Sequence, residues 1–416
     1  MSGASVVVAD RIFDAVAGRV IEGLAVRIEG DRIMGMVPSS ETAGLARIEL
    51  PGHTLLPGLI DLHTHLVGPI DTGRGYAELV TLSAAEMVLH GVANSRATLE
   101  AGFTSVRDVG TFRAFTDVAL REAIEAGLIP GPRMACAGAY VTSPGGGGDI
   151  TGLALDVDQV LPPEFRFGVA SGVEQMRGTV GRILRHGADF IKVIATGAVL
   201  TSGTNPSAPE FTQAELEAAV EEASAAGTYV AAHSHGAEGI KRAVRAGVRS
   251  IEHGSLIDAE GVALMAEAGT YLVADIYNGD WIREQGPSIG YSDEAMSKAE
   301  ATTDAQRAGF RAALAAGVKI GFGTDAGVIP HGHNARQFTS YVEQGMTPSE
   351  AIRSATLVAA ELMGRGGEIG VVASGALADL IAVPGNPLDN VSLLEQVTFV
   401  MKGGNVIKSP VPPKHS

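Results

Sequence analysis

The spacing of hydrophobic and polar positions divides this chain into two kinds of segment. Near the N-terminus, short apolar runs alternate with polar positions around residues 6–8, 25–28 and 32–34. This period of two, interrupted by glycine turns, predicts short antiparallel strands. Similar strand-like segments return after Gly375 and again after Val397. The two ends together predict one small β domain that is built from both termini.

The long middle of the chain alternates β-branched runs with segments of helical period. Helices are predicted over 212–226 and 347–362, because each begins with a Thr-x-x-Glu capping box. Ala-Gly pairs such as Ala246-Gly247 predict helix ends before the next strand. About 300 residues of this alternation predict a (β/α)8 TIM barrel in the α/β class. Barrel strands are predicted at 59–65, 105–108, 190–194, 229–233, 250–253, 271–274 and 319–325.

These patterns give a domain prediction. We expect residues 1–57 and 364–416 to form a small β-sandwich domain, and residues 58–363 to form the barrel. The segment 278–281, Asn-Gly-Asp-Trp, is expected to be a surface loop because its residues favour turns. No low-complexity linker divides the middle into separate units.

Composition and charge narrow the classes of function. The chain has 31 Lys+Arg and 47 Asp+Glu, a formal net charge of −16, which argues against binding to nucleic acid or an anionic membrane. One cysteine, Cys136, cannot form an internal disulfide, so we expect a reducing, cytoplasmic location and a buried, inert thiol. No apolar stretch approaches the ~20 residues that span a bilayer. The N-terminus lacks the basic region of a signal peptide.

Polar residues at the predicted strand ends are the candidates for chemistry, because barrel enzymes carry their active sites there. His63 and His65 close the first barrel strand at a spacing of two. This spacing puts both imidazoles on one face, where they can bind a single cation. The alternative is a pair of hydrogen-bonded core histidines.

Lys192 lies in an apolar strand, Phe-Ile-Lys-Val-Ile. Lysine is rarely buried unless it is paired, because an isolated ammonium is expensive to desolvate. Burial lowers its pKa, and a neutral amine can react with carbon dioxide to give an anionic carbamate that bridges two metal ions. The alternative is a lysine that pairs with a neighbouring carboxylate.

Three further strand ends complete the set. His233, His253 and Asp325 each follow an apolar run and precede small residues, which leaves room at the barrel mouth. Each is more often structural when taken singly. Five such strand ends in one barrel predict a metal site, and several imidazoles with carboxylates suit Zn²⁺ or similar ions.

In their order and spacing these residues resemble the amidohydrolase superfamily. The resemblance rests on Pro-Gly-Leu-Ile-Asp-Leu-His-Thr-His at 57–65, Lys192, His233, His253 and Gly-Thr-Asp325, and it covers nearly the whole chain. The branch that it looks most like contains metal-dependent Xaa-Pro dipeptidases or carboxypeptidases and ochratoxin-type amidases. A homo-oligomer is also expected, because barrels of this type commonly assemble.

The resemblance implies a hydrolase with two divalent metal ions, expected to be zinc. His63 and His65 would bind the more buried ion, and the two later histidines would bind the second. Lys192, carbamylated by carbon dioxide, would bridge both ions. Asp325 would contact the buried ion and act as the catalytic acid and base. Substrate contacts are expected from His235, Tyr140, Tyr277, His331 and Arg336, against the alternative that the loop residues are merely solvated.

The expected reaction is hydrolysis of a C-terminal amide in Xaa-Pro dipeptides, other small peptides, N-acyl amino acids or ochratoxin-like amides. A deaminase or a cyclic-amide hydrolase similar to imidazolonepropionase is the alternative within the superfamily. Such deaminases typically place a glutamate three residues after the strand-five histidine, where this chain has Gly236. The non-enzyme alternative is a barrel scaffold without catalysis.

Overall fold

The computed structural model describes residues 4–71 and 76–410. The strands are β1 (Ser5–Asp14), β2 (Arg19–Glu22), β3 (Leu24–Glu29), β4 (Arg32–Pro38), β5 (Ala46–Pro57), β6 (Leu59–Thr64), β7 (Phe103–Asp108), β8 (Arg133–Cys136), β9 (Tyr140–Val141), β10 (Ile191–Ile194), β11 (Val230–Gly236), β12 (Ser250–Leu256), β13 (Tyr271–Ala274), β14 (Ile320–Phe322), β15 (Leu380–Pro384), β16 (Phe399–Lys402) and β17 (Asn405–Lys408). The α-helices are α1 (Ala77–Thr81), α2 (Ala84–Glu100), α3 (Thr116–Glu125), α4 (Leu155–Asp158), α5 (Val173–Arg185), α6 (Gln213–Ala225), α7 (Ala237–Ala246), α8 (Ala259–Ala268), α9 (Ile276–Ile289), α10 (Asp293–Ala315), α11 (Arg336–Glu343), α12 (Pro348–Ser354) and α13 (Leu357–Leu362).

The terminal segments form one mixed sheet of eight strands. Its order is β17-β16-β15-β5-β1-β3-β4, and β2 pairs with β1. The pairing of β15 with β5 joins the C-terminal segment to the N-terminal one. Val7, Ile12, Val26, Leu55 and Phe399 are fully or almost fully buried in the core of this sheet. The prediction of a small β domain from both termini is therefore confirmed, while the division at 57/58 and 363/364 stays a prediction.

Parallel strands form the TIM barrel in two hydrogen-bonded runs. One run is β6-β7-β8 and the other is β9-β10-β11-β12-β13-β14. The short strands β8 and β9 follow each other at the third barrel position. At the other seam β14 lies beside β6, and a parallel bridge joins Thr64 to Ala326. Helices α2, α3, α5, α6, α7, α10 and α13 pack against the barrel strands. The predicted barrel is confirmed.

The helix predictions succeeded where caps decide the boundary. Thr212 caps α6 in the predicted capping box, and Gly247 ends α7 with a left-handed φ of 92°. The single helix predicted over 347–362 was wrong, because α12 and α13 break at Ala355 and Thr356. The Ala355 carbonyl accepts a hydrogen bond from the backbone N–H of Ile60 in β6, 2.7 Å away, instead of continuing the helix.

Two further expectations concern single side chains. The surface loop predicted at 278–281 was wrong, since these residues belong to α9, where Trp281 is half-buried. Cys136 is buried as expected, and burial raises the pKa of its thiol well above the usual range. In the described ranges, we find no helix with the length and apolar character that a membrane crossing requires.

Candidate metal centre

All six predicted metal ligands line one cavity at the C-terminal ends of the barrel strands. The cavity has a volume of about 860 Å³. β6, β10 and β11 are buried on both faces, as expected for parallel strands covered by helices, so the polar side chains near their ends meet inside the barrel mouth. The ligands in question are His63, His65, Lys192, His233, His253 and Asp325.

The first group of donor atoms comes from β6 and the segment after β14. Ligand atoms of His63, His65 and Asp325 lie within 4.8 Å of one another. Asp325 Oδ1 is 3.6 Å from His63 Nε2 and 3.3 Å from His65 Nε2. The Asp325 backbone adopts a left-handed φ of 57°, and its N–H donates to the His63 carbonyl at 2.8 Å. Strand pairing at the barrel seam therefore holds this aspartate against the two histidines.

The second group consists of three imidazoles. Ligand atoms of His233, His235 and His253 lie within 4.8 Å of one another. The ring of His235, predicted as a substrate contact, is centred 4.6 Å from the ring of His233 and 4.8 Å from that of His253. His235 lies near Ser255, whose Oγ is 2.8 Å from Nδ1, and burial lowers the pKa of His235 to about 3. A neutral imidazole of this kind is a competent metal ligand.

Lys192 is buried and lines the same cavity as both groups. Burial first lowers its pKa, to about 8, which leaves an appreciable neutral fraction near neutral pH. Burial is the main cause that lowers the pKa of His63 to about 3, and the charge of Lys192 is the next largest cause. Burial also lowers the pKa of His233, and the charge of Lys192 contributes to that shift. The charge of Lys192 therefore lowers the pKa of one histidine in each donor group. In the described ranges Lys192 forms no close ion pair, while the carboxylates of Glu252, Asp325 and Asp275 raise its pKa against the effect of burial.

A buried charged network orients His63. Its Nδ1 lies 2.9 Å from Glu252 Oε2, and Glu252 Oε1 accepts a hydrogen bond from the Arg107 guanidinium at 2.6 Å. Burial opposes ionisation of Glu252, but Arg107 and His63 hold its pKa well below the usual range. A carboxylate on Nδ1 leaves Nε2 free for a metal. A left-handed φ of 68° at His253 breaks the strand alternation, so Glu252 and its neighbour His253 both reach the site.

Sequence reasoning missed three residues of the site. Asp275 Oδ1 is 3.0 Å from His253 Nδ1, and Asn278 donates to both Asp275 and Asp325. Burial opposes ionisation of Asp275, but the charge of His253 and its hydrogen bond keep the pKa of Asp275 below the usual range. Glu252 could have been found, because it precedes His253 directly. Asp275 ends a predicted strand in the same way as the other ligands, whereas nothing local marked Asn278.

The predicted substrate contacts separate into two sets. Tyr140 and His235 line the cavity, and Tyr140 Oη lies 3.2 Å from His65 Nδ1. Tyr277, His331 and Arg336 are not among the lining residues. Arg336 donates to Tyr277 Oη at 2.9 Å, and His331 Nε2 lies 3.1 Å from the His65 carbonyl oxygen. The role of these three residues as substrate contacts stays a prediction.

About half of the residues that line the cavity are apolar or glycine, and the rest are polar or charged. Both backbone polar groups of Gly147 are hydrogen-bonded, because its N–H donates to Glu210 at 2.8 Å and its carbonyl accepts from Thr201 at 2.7 Å. A Cβ on Gly147 would meet Ile194 and Ala198 at 3.1 Å, so a side chain fits there only if they shift. Gly145, Gly147 and Gly148 together form part of the cavity wall. Apolar side chains in the lining include Val67, Met87, Phe112, Ile194, Leu200, Ile282 and Val328.

The donor set fits divalent transition-metal ions. Buried imidazoles with one or two ionised carboxylates are the ligands that zinc and similar ions prefer. His63, His65 and Asp325 supply one such set, and the three histidines of the second group supply another. The ring centroids of His63 and His253 are 4.8 Å apart, so the two sets adjoin.

Comparison with known proteins agrees with this geometry. The chain is 35% identical over 381 residues to ochratoxinase of Aspergillus niger, which covers 86% of this chain and 76% of the relative. It is 27% identical over 391 residues to imidazolonepropionase of Acidiphilium cryptum, which covers 89% and 90%. A crystal structure of a Xaa-Pro dipeptidase with bound methionine in the active site superposes with a TM-score of 0.91 at 36% identity, covering 98% of this chain and 100% of that one.

The match to a family model extends over both the barrel and the terminal sheet. The model is that of the Amidohydrolase family, and it matches residues 54–408. Together with the relatives above, this match makes the protein a hydrolase that acts on amide or peptide bonds. The chain belongs to the amidohydrolase family.

Proposed function

We propose that this chain is a binuclear metal-dependent hydrolase that cleaves the C-terminal amide of Xaa-Pro dipeptides, other small peptides or N-acyl amino acids. The observation that carries the proposal is the meeting of two donor groups in one cavity, with Lys192 acting electrostatically on both. The volume of about 860 Å³ lies within the range of small-molecule sites.

The proposed ligands follow the two donor groups. His63, His65 and Asp325 would hold one ion, and His233 and His253 would hold the other, with zinc as the preferred metal. Divalent ions bound there supply a water of lowered pKa and polarise a carbonyl oxygen.

Lys192 would carry the bridging group as a carbamate. Its neutral amine attacks carbon dioxide, an N–C bond forms, and one proton leaves to solvent. The product carries one negative charge in place of the lysine's positive charge. The buried position and the pKa of about 8 support this chemistry, because the reaction needs the unprotonated amine.

Asp325 would move the proton during hydrolysis. Its carboxylate takes a proton from the attacking water as the oxygen–carbon bond forms, and gives it to the leaving nitrogen as the carbon–nitrogen bond breaks. Burial opposes ionisation of Asp325, but hydrogen bonding from His65 and the nearby histidine charges lower its pKa to about 2. Asp325 is therefore ionised at neutral pH, as a group that receives the proton must be.

Cyclic-amide hydrolysis or deamination is the second candidate. The imidazolonepropionase relative favours it. Gly236 argues against it, because a deaminase of this superfamily typically has a glutamate at that position. Strong turnover of a cyclic amide or a free base would replace the peptidase proposal with this one.

A substrate library tests the proposal. Protein loaded with Zn²⁺, Mn²⁺ or Co²⁺ is assayed on dipeptides and N-acyl amino acids, with cyclic amides and free bases in parallel. We expect release of the C-terminal amino acid, and about two metal ions per chain by elemental analysis. A protein that binds no metal, or a Lys192→Ala variant with full activity, would contradict the binuclear mechanism. A ¹³C signal from labelled carbon dioxide, lost in Lys192→Ala, reports the carbamate independently of activity.

Location and assembly are proposed on other grounds. The single buried cysteine supports a cytoplasmic location, and fractionation of the source cells checks it. The family resemblance alone supports a homo-oligomer, which light scattering on the purified protein checks.

A further inference from the structure

Asn278 occupies an unusual place between the two donor groups. It lies in the first turn of α9, three residues after Asp275, and its side chain is 5% exposed at the edge of the cavity. Its Nδ2 donates to Asp275 Oδ2 at 2.9 Å and to Asp325 Oδ2 at 2.8 Å. The amide therefore gives one donor hydrogen to each of two carboxylates that belong to different parts of the barrel.

This orientation of the amide is fixed by chemistry. An amide oxygen in the place of Nδ2 would face two carboxylate oxygens with no hydrogen between them. The orientation that satisfies the carboxylates leaves Asn278 Oδ1 buried, with no hydrogen-bond partner within the described ranges. A buried acceptor without a partner opposes stability, so its presence calls for another explanation.

The two carboxylates depend on Asn278 to different degrees. Asp275 is also held through Oδ1, which is 3.0 Å from His253 Nδ1 and accepts from Gln306 at 2.7 Å. At Asp325 the second oxygen, Oδ1, instead faces the Nε2 atoms of His63 and His65. Asn278 is the side chain that donates to Asp325 Oδ2 in the described structure. Since the terminal torsion of an aspartate is soft and its two oxygens are equivalent, this bond fixes the plane of the carboxylate, and with it the direction in which the other oxygen faces the histidines.

From this geometry we infer that Asn278 is a positioning residue, which holds the Asp325 carboxylate in the one orientation that presents Oδ1 to His63 and His65. The inference rests on the proposed hydrolase function of the same cavity. Asn278 also donates to Asp275, and Asp275 contacts His253. Asn278 therefore also fixes Asp325 relative to the second donor group. A carboxylate that must receive and return a proton at one atom needs such a restraint.

Two substitutions of Asn278 test the inference. Asn278→Ala removes both donors, and Asn278→Asp keeps the shape but replaces the amide donor with an acceptor. In both variants we expect kcat to fall about 100-fold, while KM changes by less than about threefold. Metal content stays at the wild-type value, because the histidine ligands are untouched and the Asp325 carboxylate is still present. The visible absorption spectrum of the Co²⁺-loaded protein shifts, because Asp325 is no longer held in one orientation.

Asn94→Ala provides a matched control. The Asn94 amide also donates two hydrogen bonds, at 2.9 and 2.8 Å, but to the backbone carbonyls of Leu66 and Gly68. Its removal lowers the melting temperature, leaves kcat within about threefold and leaves the Co²⁺ spectrum unchanged. This control separates a general loss of buried amide bonds from the loss of the Asp325 restraint.

Three results would overturn the inference. One is a kcat within about threefold of wild type in Asn278→Ala with metal retained. Another is the loss of metal and activity together in both variants, which would make Asn278 a support of the whole donor set rather than of the Asp325 orientation. The third is a Co²⁺ spectrum that does not change. If the wild-type protein hydrolyses none of the amides, the proposed function fails, whereas the spectra still decide the role of Asn278.

Discussion

The two His-x-His pairs of this molecule share a sequence pattern but lie in different surroundings. His63 and His65 close β6, and their Nε2 atoms face a carboxylate, that of Asp325, at 3.6 and 3.3 Å. His233 and His235 lie at the end of β11, and their rings face a third imidazole with centroids 4.5 and 4.8 Å away. The spacing of two gives each pair one shared face. The neighbouring strand decides what that face meets, since Asp325 follows β14 beside β6 and His253 lies on β12 beside β11.

The groups that contact the Nδ1 atoms of His63 and His235 differ in charge. The Nδ1 atom of His63 meets Glu252, which is ionised and bonded to the buried guanidinium of Arg107. The Nδ1 atom of His235 meets the neutral hydroxyl of Ser255. Charged support fixes an imidazole more strongly than a hydroxyl does, since hydrogen bonds to ionised groups are stronger. We therefore expect the first pair to be the less tolerant of change.

Replacing a ligand of the first pair should have the largest effect. We expect His63→Ala to reduce kcat/KM on the order of a thousandfold, about 4 kcal/mol of transition-state stabilisation, and to lose one metal ion per chain. Steady-state kinetics and elemental analysis measure both quantities. Unchanged metal content in this variant would remove His63 from the proposed ligand set.

Breaking the charged support should have the next largest effect. Glu252→Gln keeps the side-chain shape but leaves Arg107 buried without its counter-charge. We expect the free energy of unfolding to fall by about 3 kcal/mol and metal affinity to fall about 10- to 100-fold. Urea unfolding and metal titration test this. As a control, Glu260→Gln changes an exposed carboxylate that pairs with Lys241, and it should leave both quantities unchanged.

In the second pair, the burial of His235 should change how the free energy of unfolding depends on pH. Burial lowers the pKa of folded His235 to about 3, below its ordinary value of 6.5. Between these values the unfolded chain binds the extra proton, so the free energy of unfolding of metal-free protein falls as pH drops from 6.5 toward 3. His235→Asn should flatten this slope by up to about 1.4 kcal/mol per pH unit. An identical slope in both proteins would show that His235 is not buried as a neutral imidazole.

The smallest expected effect on activity is that of His235→Asn, and it distinguishes His235 from His233. We expect His235→Asn to retain both metal ions and to raise KM about tenfold, as a substrate contact should. His233→Ala should instead lose metal. If His235→Asn also loses metal, His235 is a ligand, as its place among the three imidazoles allows.

Much of the site could be predicted because barrel topology gathers strand ends. His63, His65, Lys192, His233 and Asp325 each close or follow a recognisable apolar strand, and parallel strands bring such ends to one mouth. The predicted loop contacts stay predictions, because loop conformation is set by contacts that are distant in sequence. Arg336, for example, lies on a loop-proximal helix and donates to Tyr277, 59 residues away.

The sequence by itself determined the alternation of strands and helices, the capping of α6 and the chain order of the metal-binding candidates. These features depend on local periodicity and on side chains a few residues apart. Only the tertiary structure decided that Glu252 supports His63, that Asn278 joins Asp275 to Asp325, and that one predicted helix breaks where its carbonyl bonds to β6. The partners in these contacts come from different elements, and hydrogen-bond geometry is fixed only when the barrel closes.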